Sequence, residues 1–420
     1  MKCFKIFTVA VLFMCQFPIY AQFVLSGEFR PRTEYRHGYK SLFTEGADPA
    51  LLTSQRTRIT GEYAIPNAKF GFSIQDVRIW GDIPQASTGD AHLSVYQAWG
   101  EYFITSGLSL KAGRQELNYD DGRMFGNADW TQQGRSHDIA LLKYTNKSIK
   151  IDLGLAYNQG IDQNSGNVYL IPGNYKALQF VWLHKDFSRV GISVLLLNNG
   201  LQYTNPADTT YKTVYSQTIG SRINGKIEKF GYAAAVYHQV GKSGSNKDLS
   251  AMYGAVSFDY QFVKSFGLVA GFEYLSGNSM LNPDAKQKAF TPFYGTGHKF
   301  NGHMDYFYVG NHIGSVGLKD YYIDLKYTNG RLSTYLTWHY FQAANDVVNL
   351  SEPNVALPSS LGVEADFGVN VKLTDKFNVL AGYSQMLPTS TMVVLKGGSK
   401  EQVNNWAWVS LVFKPEFFKL

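Results

Sequence analysis

The chain has 420 residues, a formal net charge of +6, 28 Tyr, 28 Phe and 40 Gly, and a mean hydropathy of only −0.20. So modest a charge is no nucleic-acid signature, and Cys3 and Cys15 leave everything beyond them without a disulfide framework or a thiolate metal site. After residue 21 no apolar run is long enough for a membrane-spanning helix, so if the chain crosses a membrane it does so as a closed barrel, which satisfies its backbone polar groups internally.

The N-terminus has the layout of a secretory signal. Lys2 and Lys5 are followed by the largely apolar stretch 6–17, and Ile19-Tyr20-Ala21 ends in a small residue. Residues 1–21 are expected to be cleaved before Gln22, leaving 22–420 as one barrel domain. Leu12-Phe13-Met14-Cys15 has lipobox spacing, but Phe13 and Met14 are bulky where small residues are required.

From there the pattern is alternation. In the stretch 149–158, Ile149, Ile151, Leu153, Leu155 and Tyr157 share one face of a strand, and Lys150, Asp152, Gly154, Ala156 and Asn158 the other. Eighteen such segments are predicted, near 23–35, 52–64, 68–80, 92–104, 108–117, 137–145, 149–158, 174–186 and 189–199. They continue near 213–224, 227–238, 251–262, 266–276, 318–328, 331–342, 360–372, 377–387 and 403–413. The gaps alternate short and long. Thr105-Ser106-Gly107, Asn146-Lys147-Ser148, the stretch after Asn224-Gly225, Thr328-Asn329-Gly330 and Thr374-Asp375-Lys376 have tight-hairpin chemistry. The stretches 36–51, 118–136, 159–173, 277–317 and 343–359 are long loops. Short inner turns, long outer loops and an even strand number are the plan of a bacterial outer-membrane barrel, here an all-β, antiparallel, up-and-down barrel of 18 strands, with 16 as the fallback. No plug domain is expected ahead of the first strand, which disfavours an energised transporter, and the barrel is expected to be a monomer.

Charge gives the functional clue. Nine of the 12 arginines lie between residues 30 and 135. Glu28, Arg30, Arg32 and Glu34 share a face of the first segment, opposite Phe29, Thr33 and Tyr35. Arg56, Arg58 and Glu62 share a face of the second, opposite Ile59 and Tyr63. A lipid-facing Arg at the bilayer midplane costs about 2–4 kcal/mol, so these rows are expected to face the lumen. Asp76, Arg78, Gln97, Glu101, Arg114 and Gln115 extend the wall. Ion pairs that merely brace the barrel are the competing reading for each residue, but arginine is a planar donor suited to carboxylates, and collectively a ring of such groups favours anionic permeants.

The loops carry less. Segment 118–130, with Asp120, Asp121, Arg123 and Asp129, lacks the spacing and closing Glu of an EF-hand. A packed loop with internal Arg–Asp pairs is the preferred reading, and a loop-level Ca²⁺ the alternative; no other cofactor is expected. Arg123, Asp129 and Arg135 are loop candidates for the solute path. His298, His303 and His312 fall in 277–317, expected to be packed or solvated rather than metal-bound, in a loop that folds over or into the mouth. Ser136-His137-Asp138 cannot form a triad, because neighbours on a strand face opposite ways, so catalysis is not expected.

Several motifs resemble those of the alginate export family of outer-membrane porins. They are Ser54-Gln55-Arg56-Thr57-Arg58, Gln75-Asp76-Val77-Arg78-Ile79-Trp80-Gly81-Asp82, Gln97-Ala98-Trp99-Gly100-Glu101-Tyr102 and Gly113-Arg114-Gln115-Glu116-Leu117. Asp121-Gly122-Arg123, Asp129-Trp130, Arg135-Ser136-His137-Asp138 and the stretch 296–305 complete the likeness. The resemblance implies an 18-stranded barrel with an electropositive constriction passing a polyuronate, with Arg56, Arg58, Arg78 and Arg114 as pore-lining residues and Asp76 and Glu101 as acidic partners. Position 97 carries Gln where the family pattern leads one to expect Glu, and Leu420 replaces the usual aromatic end. The leading expectation is a passive channel for anionic oligo- or polysaccharide. A general or sugar-acid porin is the alternative, and a surface adhesin or structural barrel comes after it.

Overall fold

The computed structural model describes residues 22–420 apart from 309 and 313, so the expected signal at 1–21 lies outside the described residues. Eighteen strands close into an antiparallel barrel. The first nine are β1 (Gln22–His37), β2 (Ala50–Ile65), β3 (Ala68–Ile79), β4 (Leu93–Phe103), β5 (Leu108–Gln115), β6 (His137–Thr145), β7 (Ile149–Tyr157), β8 (Ala177–Asp186) and β9 (Val190–Thr204). The rest are β10 (Tyr211–Ile227), β11 (Phe230–Lys242), β12 (Asp248–Val263), β13 (Phe266–Leu275), β14 (Leu318–Asn329), β15 (Leu332–Ala343), β16 (Ser360–Thr374), β17 (Phe377–Pro388) and β18 (Asn404–Phe413). Each predicted segment corresponds to one of them. One turn shifts: Asn224-Gly225 stays inside β10, where Gly225 pairs with Tyr232, and the chain reverses at Glu228-Lys229, with Glu228 left-handed at φ 52°.

The period of two places grease outside. On β7, Leu155 is 53% exposed and Asp152 only 7%, so the exposed surface is the apolar one. A soluble sheet would bury that face; in lipid the same exposure is favourable. The ring closes where β1 pairs with β18, Arg32 opposite Ser410 and Arg36 opposite Trp406. Pro415 has no N–H for the ladder and interrupts the last strand, and its carbonyl instead accepts from the Gly27 N–H at 2.9 Å. Pairing with β1 resumes over Glu416–Lys419, so the seam runs nearly to the C-terminus.

Eighteen strands enclose a lumen too wide for wall side chains to fill. Two long connections fold into it, 116–136 between β5 and β6, and 276–317 between β13 and β14. Tyr306 and Met304 of the second are fully buried. Outer loops also hold a small hairpin (Val348–Asn349 with Glu352–Ala356) and one helix, α1 (Ser390–Lys396). Thr389 caps the N-terminus of α1 by accepting from the Met392 N–H, and Gly397, at φ 68°, stops it.

Candidate permeation site

The site begins with a conflict of charge. On the inner face of the first hairpin, Arg30 lies directly opposite Arg56 and Glu28 opposite Arg58. Arg30, Arg32, Arg56 and Arg58 are all buried, while Phe29, Tyr35, Ile59 and Tyr63 face outward, so the rows point inward. They do not stand free in water. The 116–136 loop lies along them and supplies oxygen acceptors one after another. Asp129 meets Arg56 Nη2 at 2.8 Å and Arg30 Nη1 at 3.5 Å. Arg32 donates to the Trp130 carbonyl, Arg30 to the Thr131 carbonyl and Arg56 to the Gln132 carbonyl. Arg58 donates to Gln75, which donates to the Gln133 carbonyl. Glu28 completes the Arg56 pair at 2.6 Å, and the Arg32 guanidinium lies 4.0 Å from the Trp130 ring centroid. Burial alone would raise the Asp129 carboxyl, but Arg56 and Arg30 more than reverse this and hold it below its ordinary value.

The same loop meets its partner in mid-lumen. The Gly126 N–H donates to the Tyr294 carbonyl at 2.8 Å, Thr296 N–H to the Gly122 carbonyl at 2.9 Å, and Arg135 Nη1 to the Gly295 carbonyl at 2.8 Å. A Cβ on Gly126 or Gly295 would collide with the opposing backbone, so these two positions set the approach. Trp130 stacks on His298 at 4.1 Å. Together the two loops form a septum across the barrel.

Round the barrel past the β18–β1 seam, the wall of β13–β16 is acidic. Arg123 reaches it, donating to Glu273 at 2.8 Å and to Asn301 at 2.9 Å. Asn301 bridges Glu273 and Asp320, the Met304 N–H donates to Glu364, and His339 sits 2.9 Å from Asp320. Arginines on β1–β2 thus hold one loop, and carboxylates on β13–β16 hold the other. Sequence reasoning passed over Glu273, Asp320, Glu364 and Asp366, all buried. Their signal was present: polar residues at alternate positions, as in Asp320, Tyr322, Asp324 and Lys326.

The other predicted residues spread over the depth of the barrel. Asp76 and Arg78, expected in the lumen, lie instead on the outward face at the outer end of β3, opposite Thr57 and Gln55, which alternate with the inward Arg56 and Arg58. Arg78 pairs there with Asp76 and Asp90, and Arg114, 42% exposed, pairs with Asp138 at 2.9 Å. Glu101 lies apart, in the inner half, beside Ser109 and Lys143. The carboxylates of 118–130 take protein partners, Asp120 on Trp182 and Ser193 and Asp121 on Arg222. The loop histidines are packed: His298 on Asp305 and Trp130, His303 on Tyr335, His312 on the Gly317 carbonyl. Ser333 and Thr337 of β15 line open space, whereas Ser216 and Thr218 of β10 are fully buried.

Open space remains on both sides of the septum. Toward the short turns lie adjoining cavities of about 890 and 570 Å³, which share Arg222, Ser257 and Lys326. Toward the long loops lie cavities of about 480 and 420 Å³, which share Arg135 and Ser136.

A closed 18-strand barrel, apolar outside and crossed within by inward-folded loops, defines an outer-membrane channel. The chain belongs to the alginate export family, whose model matches residues 22–392. No curated protein matches its sequence. Among solved structures it is similar in fold to OccAB4 of Acinetobacter baumannii (TM-score 0.62, 10% identity, covering 95% of this chain and 99% of that one). OpdO of Pseudomonas aeruginosa (0.61, 11%, 94% and 98%) and the outer membrane protein OprD of the same organism (0.61, 9%, 94% and 94%) are comparable.

Proposed function

We propose that this channel passes anionic oligo- or polysaccharides, uronate chains above all, along the arginine row of β1 and β2. The observation that carries the reading is the way segment 129–133 occupies that row. One carboxylate and a run of carbonyl oxygens lie on successive guanidiniums. A uronate chain presents the same alternation of carboxylate and neutral oxygen. Arginine donates to both, and charge-assisted contacts to the carboxylate are the stronger. On this reading the loop segment yields to the permeant, and a passive pore follows the gradient. Family membership supports the substrate class.

A second reading, a porin for single sugar acids, is favoured by the cavity sizes, which suit small molecules on either side of the septum. Planar-bilayer conductance of the refolded chain tests both. Reversal potentials in a salt gradient should show anion selectivity, and oligogalacturonates should block where neutral maltooligosaccharides do not. Block that strengthens with chain length supports the polymer conduit, and block by the monomer alone supports the sugar-acid porin. An unselective conductance indifferent to uronates overturns both.

A further inference from the structure

The outer cavity of about 480 Å³ is lined by Arg135, His137, Asn174, Tyr175, Phe293 and Tyr294 among others. We propose that it is a binding subsite for a carboxylated pyranose unit arriving from the long-loop side, a proposal that rests on the anionic-saccharide reading above.

Three observations converge on it. The first is Arg135. Arg30, Arg32, Arg56, Arg78, Arg114, Arg123 and Arg222 each have a carboxylate within ion-pairing distance, and Arg58 has Gln75 and the Tyr96 ring. Arg135 lines the cavity with no carboxylate in range among the described residues; its guanidinium makes one hydrogen bond, to the Gly295 carbonyl. A partly buried guanidinium without a counter-charge attracts an anion that can take its remaining donors.

The second is the aromatic wall. Tyr175 and Tyr294 meet edge to face at 5.5 Å, with Phe293 beside them. Phe293, partly exposed and set beside the buried Tyr175, offers ring surface to the C–H-rich face of a sugar. The third is His137, only 5% exposed. Its Nδ1 lies 3.3 Å from the Tyr175 hydroxyl, and its Nε2 has no partner. That nitrogen is enclosed as it stands, so a bound group completes it only with a small movement of the lining.

The volume falls within the usual range for small-molecule sites. The adjoining 420 Å³ cavity shares Arg135 and adds Arg114 and His92, so a second unit continues along the same groove. Uronates arriving from the long-loop side thus meet Arg135 on the outer face of the septum.

The test is titration calorimetry of the full chain in detergent, with trigalacturonate as probe and maltotriose as neutral control. Wild type should bind the uronate and ignore maltotriose. Arg135→Ala should weaken binding at least tenfold, Arg135→Lys should recover part of it, and Phe293→Ala should weaken it severalfold, with heat-modifiable gel migration confirming that each variant is folded. Wild-type affinity in both Arg135→Ala and Phe293→Ala overturns the subsite, as does absence of trigalacturonate binding by the wild type. If anion selectivity and uronate block persist in either case, only the subsite falls. If they are absent too, the anionic-saccharide reading falls with it.

Discussion

Two guanidiniums directly opposite on neighbouring strands repel, and a sheet normally avoids the pair. Arg30 and Arg56 tolerate it because Asp129 descends between them and Glu28 flanks them. The counter-ion belongs to a loop, so the charges that specify the wall also specify where that loop lies. Arg56→Ala should therefore cost about 3 kcal/mol, the low end for a broken buried pair, because Asp129 is 44% exposed and can rehydrate. The readout is a lower urea midpoint, with faster proteolysis within 116–136. The pH dependence has a fixed sign. Asp129 is held below its ordinary value of 3.8, so its contribution is complete above that value and is lost as pH falls through the lowered one. A spin label at Thr131→Cys should stay immobile from neutral pH down to the ordinary carboxylate range and gain mobility only below it.

At the scale of elements, strands and loops differed in how much of them could be read beforehand. All 18 strands were legible because a wall between lipid and water forces strict alternation, and β7 shows it residue by residue. The loops obey no such period. That 118–136 is long and charged was plain, but its descent onto the arginine row depends on contacts such as Arg30–Asp129, 99 residues apart in sequence. Helix α1 was missed although Thr389 and Gly397-Gly398 mark both its ends, because seven residues between them are too few for a helical period to stand out. The acidic wall is harder to read, because Glu273, Asp320, Glu364 and Asp366 are spread over three strands and do not cluster in sequence as the arginines do. The strap-like placement of 129–133 makes a mechanical prediction. Gln132 Nε2 lies 3.0 Å from Ser54 Oγ, and residues 22–420 contain no cysteine. Bridging a Ser54→Cys/Gln132→Cys pair with a short bis-methanethiosulfonate linker should pin the loop and suppress uronate block severalfold, with recovery on reduction. Unchanged block in the cross-linked state would mean that permeants pass without moving the loop.

At the scale of the whole molecule, the wall and the septum answer to different solvents. Leu153 sits midway along β7 on the exposed face, and Leu153→Arg should cost about 2–4 kcal/mol in urea refolding into vesicles. Ser333→Arg, beside the inner cavity, should cost far less, since its charge stays in water. The septum is joined by contacts between residues as distant as Arg123 and Asn301, 178 positions apart, and both of its anchors are completed walls. Without those contacts the eighteen strands enclose a wide, open lumen. For the cell this makes loop docking a matter of barrier integrity. Strains carrying Arg56→Ala should become sensitive to bulky hydrophilic antibiotics that the intact outer membrane excludes.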